Sequence, residues 1–123
     1  MAWDRLLQGR RILVVEDEFL VAQSLVDMLE AEGATVLGPL GWLDEALVFL
    51  GRDSAFDGAV LDVNLHGQSS YPIADALIER GVQFVFTTGY DAEALSEPYR
   101  VYPRCEKPLH EQALIAALAR PAT

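Results

Sequence analysis

Lysine is almost missing from this 123-residue sequence: Lys107 is the only one, and the other eight basic residues are arginine. Cysteine is equally scarce. With Cys105 alone, no disulfide can form within the chain, and a reducing compartment suits it. Long apolar runs are absent too, since none approaches the roughly 18 residues that a membrane span requires. The start, "MAWDRLLQGRR", lacks the apolar region and small-residue cleavage site of a secretory leader. Basic charge is in short supply: nine Lys and Arg stand against 19 Asp and Glu, for a net charge of −10. That excess argues against DNA or RNA as a direct partner, because phosphates are neutralised by clustered cations. It suits a protein that attracts metal ions or meets a basic surface. There is no internal repeat or low-complexity run. A soluble, cytoplasmic protein without a membrane or DNA partner is the expectation.

What is present is a folded chain, 51% apolar and long enough for one core. "RILVV" (11–15), "FDGAVLD" (56–62) and "VQFVFTT" (82–88) are apolar without polar alternation, as strands covered on both faces would be. "ATVLGP" (34–39) reads as a further strand. "RVYPRCE" (100–106) reads as a weaker one, because Pro103 belongs at an edge or a strand start. Between them lie helical patterns at 19–33, stopped by Gly33, at 43–52 and at 70–81, with a proline near its start and a glycine at its end. A short helix over 91–98 is cut off by Pro98, and "LHEQALIAALAR" (109–120) closes the chain. Strands alternating with helices predict a parallel sheet with helices on both faces, and five units favour an open doubly wound sheet. The division is an extension over 1–10, a domain over 11–120 and a tail over 121–123. In the extension, Trp3, Leu6 and Leu7 share one helical face; loose packing or fraying is expected, with a docking patch as the alternative.

In such a sheet, ligands sit beyond the carboxyl ends of the strands. There the sequence places Glu16, Asp17 and Glu18 after the first strand and Asp62 at the end of the third. Thr88, Gly89 and Tyr90 follow the fourth, and Lys107 and Pro108 the fifth. Taken singly, each is ordinary: acidic runs are usually solvated, Thr-Gly is a common turn, and Asp often caps a helix. Together at one edge they form a constellation. Carboxylates at close range repel until a cation or proton relieves them, and oxygen donors from Glu16, Asp17 and Asp62 suit hard Mg²⁺ or the related Mn²⁺. Asp62, so neutralised, can attack phosphorus and form an acyl phosphate. The charge of the transition state then calls for Lys107, the Thr88 hydroxyl and an unobstructed backbone N–H at Gly89. A compact ammonium fits such a crowded place where a broad guanidinium fork does not.

These residues, in this order and spacing, resemble the receiver domains of two-component response regulators: "LVVEDE", "LDVNL", "TTGY" and "KP", over about residues 11 to 119. The resemblance implies a flavodoxin-like sheet of order 2-1-3-4-5. It implies that Asp62 takes a phosphoryl group from the phosphohistidine of a histidine kinase or histidine phosphotransferase. It further implies that Glu16, Asp17, Asp62 and the Asn64 backbone carbonyl hold the metal, that Thr88 is the switch hydroxyl, and that Lys107 is the phosphoryl counter-charge. A cis Lys107–Pro108 bond is expected on the same ground.

The departures are informative. Arg104 stands three residues before the lysine, where the family usually carries a rotating aromatic. "FVFTTGYD" is similar to an alphaproteobacterial subgroup with a Phe-Ala-Thr-Gly-Tyr signature, in which Tyr90 takes over switching. The truncated 91–98 segment would then order on phosphorylation. His66 and His110 have no second His or Cys at ligand spacing; surface or cap roles are expected, and an influence of His66 on phosphoryl lifetime is the less supported alternative. With only "PAT" after residue 120, the expectation is a single-domain regulator acting by contact with a downstream protein, or as a phosphoryl sink or relay, its oligomeric state open and a dimer included. Two rivals remain. An aspartyl phosphohydrolase would carry a second Asp where Asn64 stands, and a pseudo-receiver would lack one of the acidic, hydroxyl or lysine groups. Flavin binding on the same fold has no support in the sequence.

Overall fold

The computed structural model describes residues 5–52, 55–89 and 95–119. In chain order the first half forms β1 (Arg11–Val15), α1 (Phe19–Ala31), β2 (Thr35–Leu40), α2 (Leu43–Gly51) and β3 (Gly58–Asp62). The second half forms β4 (Asn64–Leu65), β5 (Gln68–Ser69), α3 (Tyr71–Glu79), β6 (Gln83–Thr88), a 3₁₀ turn (Glu97–Tyr99), β7 (Arg104–Glu106) and α4 (Glu111–Ala119). Five strands make one parallel sheet in the order β2-β1-β3-β6-β7, while β4 and β5 pair only with each other. Counted along the sheet's own strands this is 2-1-3-4-5, the flavodoxin-like receiver arrangement.

The missing alternation in β1 and β3 has a simple cause: both faces of the sheet are covered. Successive side chains point to opposite layers. Leu13 and Val15 join Leu61, Phe84 and Phe86 in the layer closed by Leu50 of α2 and by Ile73 and Leu77 of α3. Ile12 and Val14 join Val60 and Val85 in the layer closed by Leu25 and Leu29 of α1 and by Leu114 and Leu118 of α4. Each such buried aliphatic side chain contributes roughly 1.5–3 kcal/mol. The register then sets the site. Val15 pairs with Leu61, Asp62 with Thr87, and Thr88 with Glu106, so these strands end at one edge.

Several boundaries differ from the expectation. The weak fifth strand shrinks to Arg104–Glu106, and its pairing is extended by the Phe86 N–H donating to the Pro103 carbonyl at 3.0 Å. Of the expected 91–98 helix, residues 91–94 lie outside the described residues; from 95 onward there is a single 3₁₀ turn, consistent with Pro98 having no N–H to give. The extension does not fray over its described part. Leu7 is fully buried against Leu25, Leu29 and Ala34, although Leu6 is exposed, and Trp3 lies outside the described residues. Helix α1 stops ahead of Gly33, whose φ of +93° favours glycine and whose absent Cβ leaves room for the Gln8 backbone. The hairpin β4–β5 is an element that periodicity did not announce.

Candidate functional site

Four strand ends carry the polar groups of one pocket. Glu16 follows β1, held by its own N–H donating to the Leu40 carbonyl at 2.9 Å, and its side chain is buried. Asp62 closes β3, and its Oδ1 accepts from the Asn64 N–H at 3.1 Å. Single oxygens of Glu16, Asp17 and Asp62 lie within 4.8 Å of one another. Into this cluster reaches Lys107, positioned by its backbone N–H donating to the Thr88 carbonyl at 2.8 Å. Its Nζ lies 2.9 Å from Asp62 Oδ2, 3.0 Å from Glu16 Oε1 and 3.4 Å from Glu18 Oε1. The Lys107–Pro108 peptide is cis, as is Gly38–Pro39.

Burial and like charge govern the electrostatics. Burial, and then the neighbouring Asp62 charge, push the Glu16 carboxyl up to about 8 from an ordinary 4.5. Burial also raises Asp62, against the lowering effect of its hydrogen bond from Lys107. For Lys107, burial alone would lower the value, but the hydrogen bonds and charges of Asp62 and Glu16 outweigh it, and the ammonium is held charged. One ammonium thus serves two of the three clustered carboxylates, Glu16 and Asp62, as well as the exposed Glu18. All-oxygen donors, short of positive charge, fit a hard divalent cation. The Thr88 hydroxyl, at the end of β6, is buried and has no hydrogen-bond partner among the described residues. A Cβ on Gly89 would meet no atom of the described residues within 4 Å.

No protein-family model matches the chain, and no curated protein does. Solved structures do. SdrG from Sphingomonas melonis Fr1 is 37% identical, with 94% of this chain and 98% of that one covered and a TM-score of 0.80. The BeF3-activated conformation of SdrG from Pseudomonas melonis Fr1 is also 37% identical, with 89% and 96% covered and a TM-score of 0.74. The N-terminal domain of a response regulator/sensory box/GGDEF protein from Carboxydothermus hydrogenoformans is 26% identical, with 89% and 90% covered and a TM-score of 0.76. The chain belongs to the response regulator receiver family.

The fold therefore draws together the carboxylates of Glu16, Asp17 and Asp62 and the Lys107 ammonium from distant parts of the chain, with the Asn64 N–H on Asp62 and the Thr88 carbonyl on the Lys107 backbone. Arg104 stays apart: it is exposed at the start of β7, opposite Phe86. Tyr90 lies outside the described residues. Trp42 escapes the sequence reading, which expects His66 only in a surface or cap role, with an influence on phosphoryl lifetime as the lesser alternative. His66 donates its backbone N–H to Asp17 Oδ2 at 2.8 Å, and its ring stacks on Trp42 at 3.6 Å between centroids. A signal existed in "LHGQ", since His66 and Gly67 both have positive φ, the sign pattern of a tight hairpin turn. Asn or Asp before the glycine would have marked it more strongly than His.

Proposed function

We propose that Asp62 is the phosphoryl acceptor of this receiver, and that a histidine kinase or histidine phosphotransferase is the donor. The observation that carries this reading is Lys107 Nζ held 2.9 Å from Asp62 and 3.0 Å from Glu16. A partly buried ammonium on the acceptor carboxylate is already where a phosphoryl oxygen will need it. In the transfer, an Asp62 oxygen forms a bond to phosphorus while the bond to the donor imidazole nitrogen breaks; the imidazole leaves as the neutral ring once it carries a proton.

Glu16, Asp17, Asp62 and the Asn64 carbonyl would hold Mg²⁺ or Mn²⁺. Bound there, the ion supplies charge neutralisation for the incoming phosphoryl oxygens. The rest belongs to the protein's own groups. Thr88 Oγ1, without a partner among the described residues, donates to a phosphoryl oxygen, and Lys107 shifts its hydrogen bonds from the carboxylates to the phosphoryl group. That the related SdrG has a BeF3-activated conformation supports a phosphoryl-driven change between two states, which is a population shift. Switching is assigned to Tyr90, with Arg104 displacing the usual aromatic. Unchanged partner binding on phosphorylation after Tyr90→Ala would refute that assignment.

The decisive experiment is labelling with acetyl phosphate, read by intact mass. Wild type should gain one phosphoryl group in Mg²⁺ and none in EDTA, and Asp62→Asn should gain none. Labelling that survives Asp62→Asn would overturn the proposal.

A further inference from the structure

The turn of the β4–β5 hairpin presses on the acidic cluster from the side of α2. His66 occupies the left-handed region at φ +49°, where residues with a β-carbon are disfavoured. Three contacts hold it there. Its backbone N–H donates to Asp17 Oδ2 at 2.8 Å, and its imidazole lies nearly parallel to the Trp42 indole, 13° between planes and 3.6 Å between centroids. The turn itself is tied by the Gly67 N–H donating to Asn64 Oδ1 at 2.8 Å. Trp42 directly precedes α2 and leaves half of its surface exposed. Beneath the pair runs Gly41, so close that a Cβ there would stand 3.6 Å from the Glu16 carbonyl and 4.0 Å from His66 Nε2. Three segments far apart in sequence, 16–17, 41–42 and 64–67, therefore meet at one carboxylate.

Asp17 is the loosest of the three clustered carboxylates. Glu16 and Asp62 are buried and paired with Lys107, whereas Asp17 has no contact with that ammonium. Among the described residues its side-chain partner is the His66 turn. We infer that the His66–Trp42 stack is a clip that positions Asp17 for metal binding. Trp42 fixes the ring, the ring fixes the left-handed turn, and the turn's N–H fixes the carboxylate. His66 is thus a positioning residue, acting on the ion only through Asp17. The inference rests on the metal reading made above.

The test is calorimetric titration of the metal-free full chain with Mg²⁺ alone, with circular dichroism as a check of folding. His66→Gly removes the ring and leaves the turn free to abandon its left-handed conformation; Trp42→Ala removes the stacking partner. Each should weaken Mg²⁺ about tenfold, the low end for losing a group that orients a metal ligand. The double variant should bind no more weakly than either single one, since both changes break the same clip. Trp42→Phe, which retains a stacking face, should restore most of the affinity. His66→Asn, at ease in the left-handed region without a ring, should hold the turn and likewise retain most of the affinity. His66→Gly or Trp42→Ala binding Mg²⁺ as wild type does, or losses that simply add, overturn the clip while leaving the metal reading intact. Wild type that binds no Mg²⁺ overturns both.

Discussion

Lys107 carries more of the site than any other single side chain. It is the one lysine in the sequence, it is partly buried, and it answers the charge of both Asp62 and Glu16. Removing one member of a buried charged set leaves the others uncompensated. Lys107→Gln should therefore destabilise the metal-free protein by about 2 kcal/mol at pH 8. The loss should shrink at pH 5, where the carboxyls take up protons instead. Urea unfolding at the two pH values measures this, and an equal loss at both would contradict the assigned role. Arginine is no substitute: its planar fork is wider than the space between two carboxylates about 3 Å from one nitrogen. Lys107→Arg should keep much of the stability and lose phosphoryl acceptance in the labelling assay.

Among the elements, the segment before β1 does more than lead into the sheet. Leu7 is inserted beside α1, and its N–H donates to the Glu32 carbonyl at 3.0 Å, satisfying one of the orphan carbonyls just beyond the helix end. Three residues on, Arg10 Nη1 donates to the Leu118 carbonyl at 2.9 Å, doing the same for the end of α4. One short stretch thus ties together the two helices on one face of the sheet. Leu7→Ala should cost about 3 kcal/mol, the ordinary range for emptying a fully buried leucine site. A frayed extension would cost almost nothing, so chemical denaturation separates the two pictures. On the other face, Tyr71 stacks on Tyr99 at 4.0 Å and its hydroxyl accepts from the Ser96 N–H at 2.8 Å, tying residues 95–99 to α3.

For the molecule as a whole, the site and the fold are coupled through pH. Glu16, raised to about 8, and Asp62, raised by burial, bind protons more tightly folded than unfolded. Their stabilising contribution is complete below the unfolded values and is lost as pH rises through the folded ones. Lys107 is raised above an ordinary 10.5, so its contribution stays constant through that window. The metal-free protein should lose thermal stability from pH 5 to pH 8, less steeply in Glu16→Gln, and Mg²⁺ should restore more at pH 8 than at pH 5. Scanning calorimetry across that range would reject the coupling if the profile were flat. Much of this molecule was written in its sequence. Apolar runs without polar alternation at 11–15, 56–62 and 82–88 announced strands covered on both faces, because a sheet with one wet face would alternate. Glu16, Asp17, Asp62 and Thr88 were legible because they end or closely follow such runs, and Lys107 because it follows the weaker strand at 100–106; parallel strands bring their ends to one edge. The burial of Leu7, the hairpin turn at His66 and its stack on Trp42 were not legible. Each depends on which distant segment lies alongside, and no local period encodes that. Residue order determined which groups would gather at the sheet's edge; only tertiary packing decided how tightly each carboxylate is held there, because burial and neighbouring charge exist only once the chain is folded.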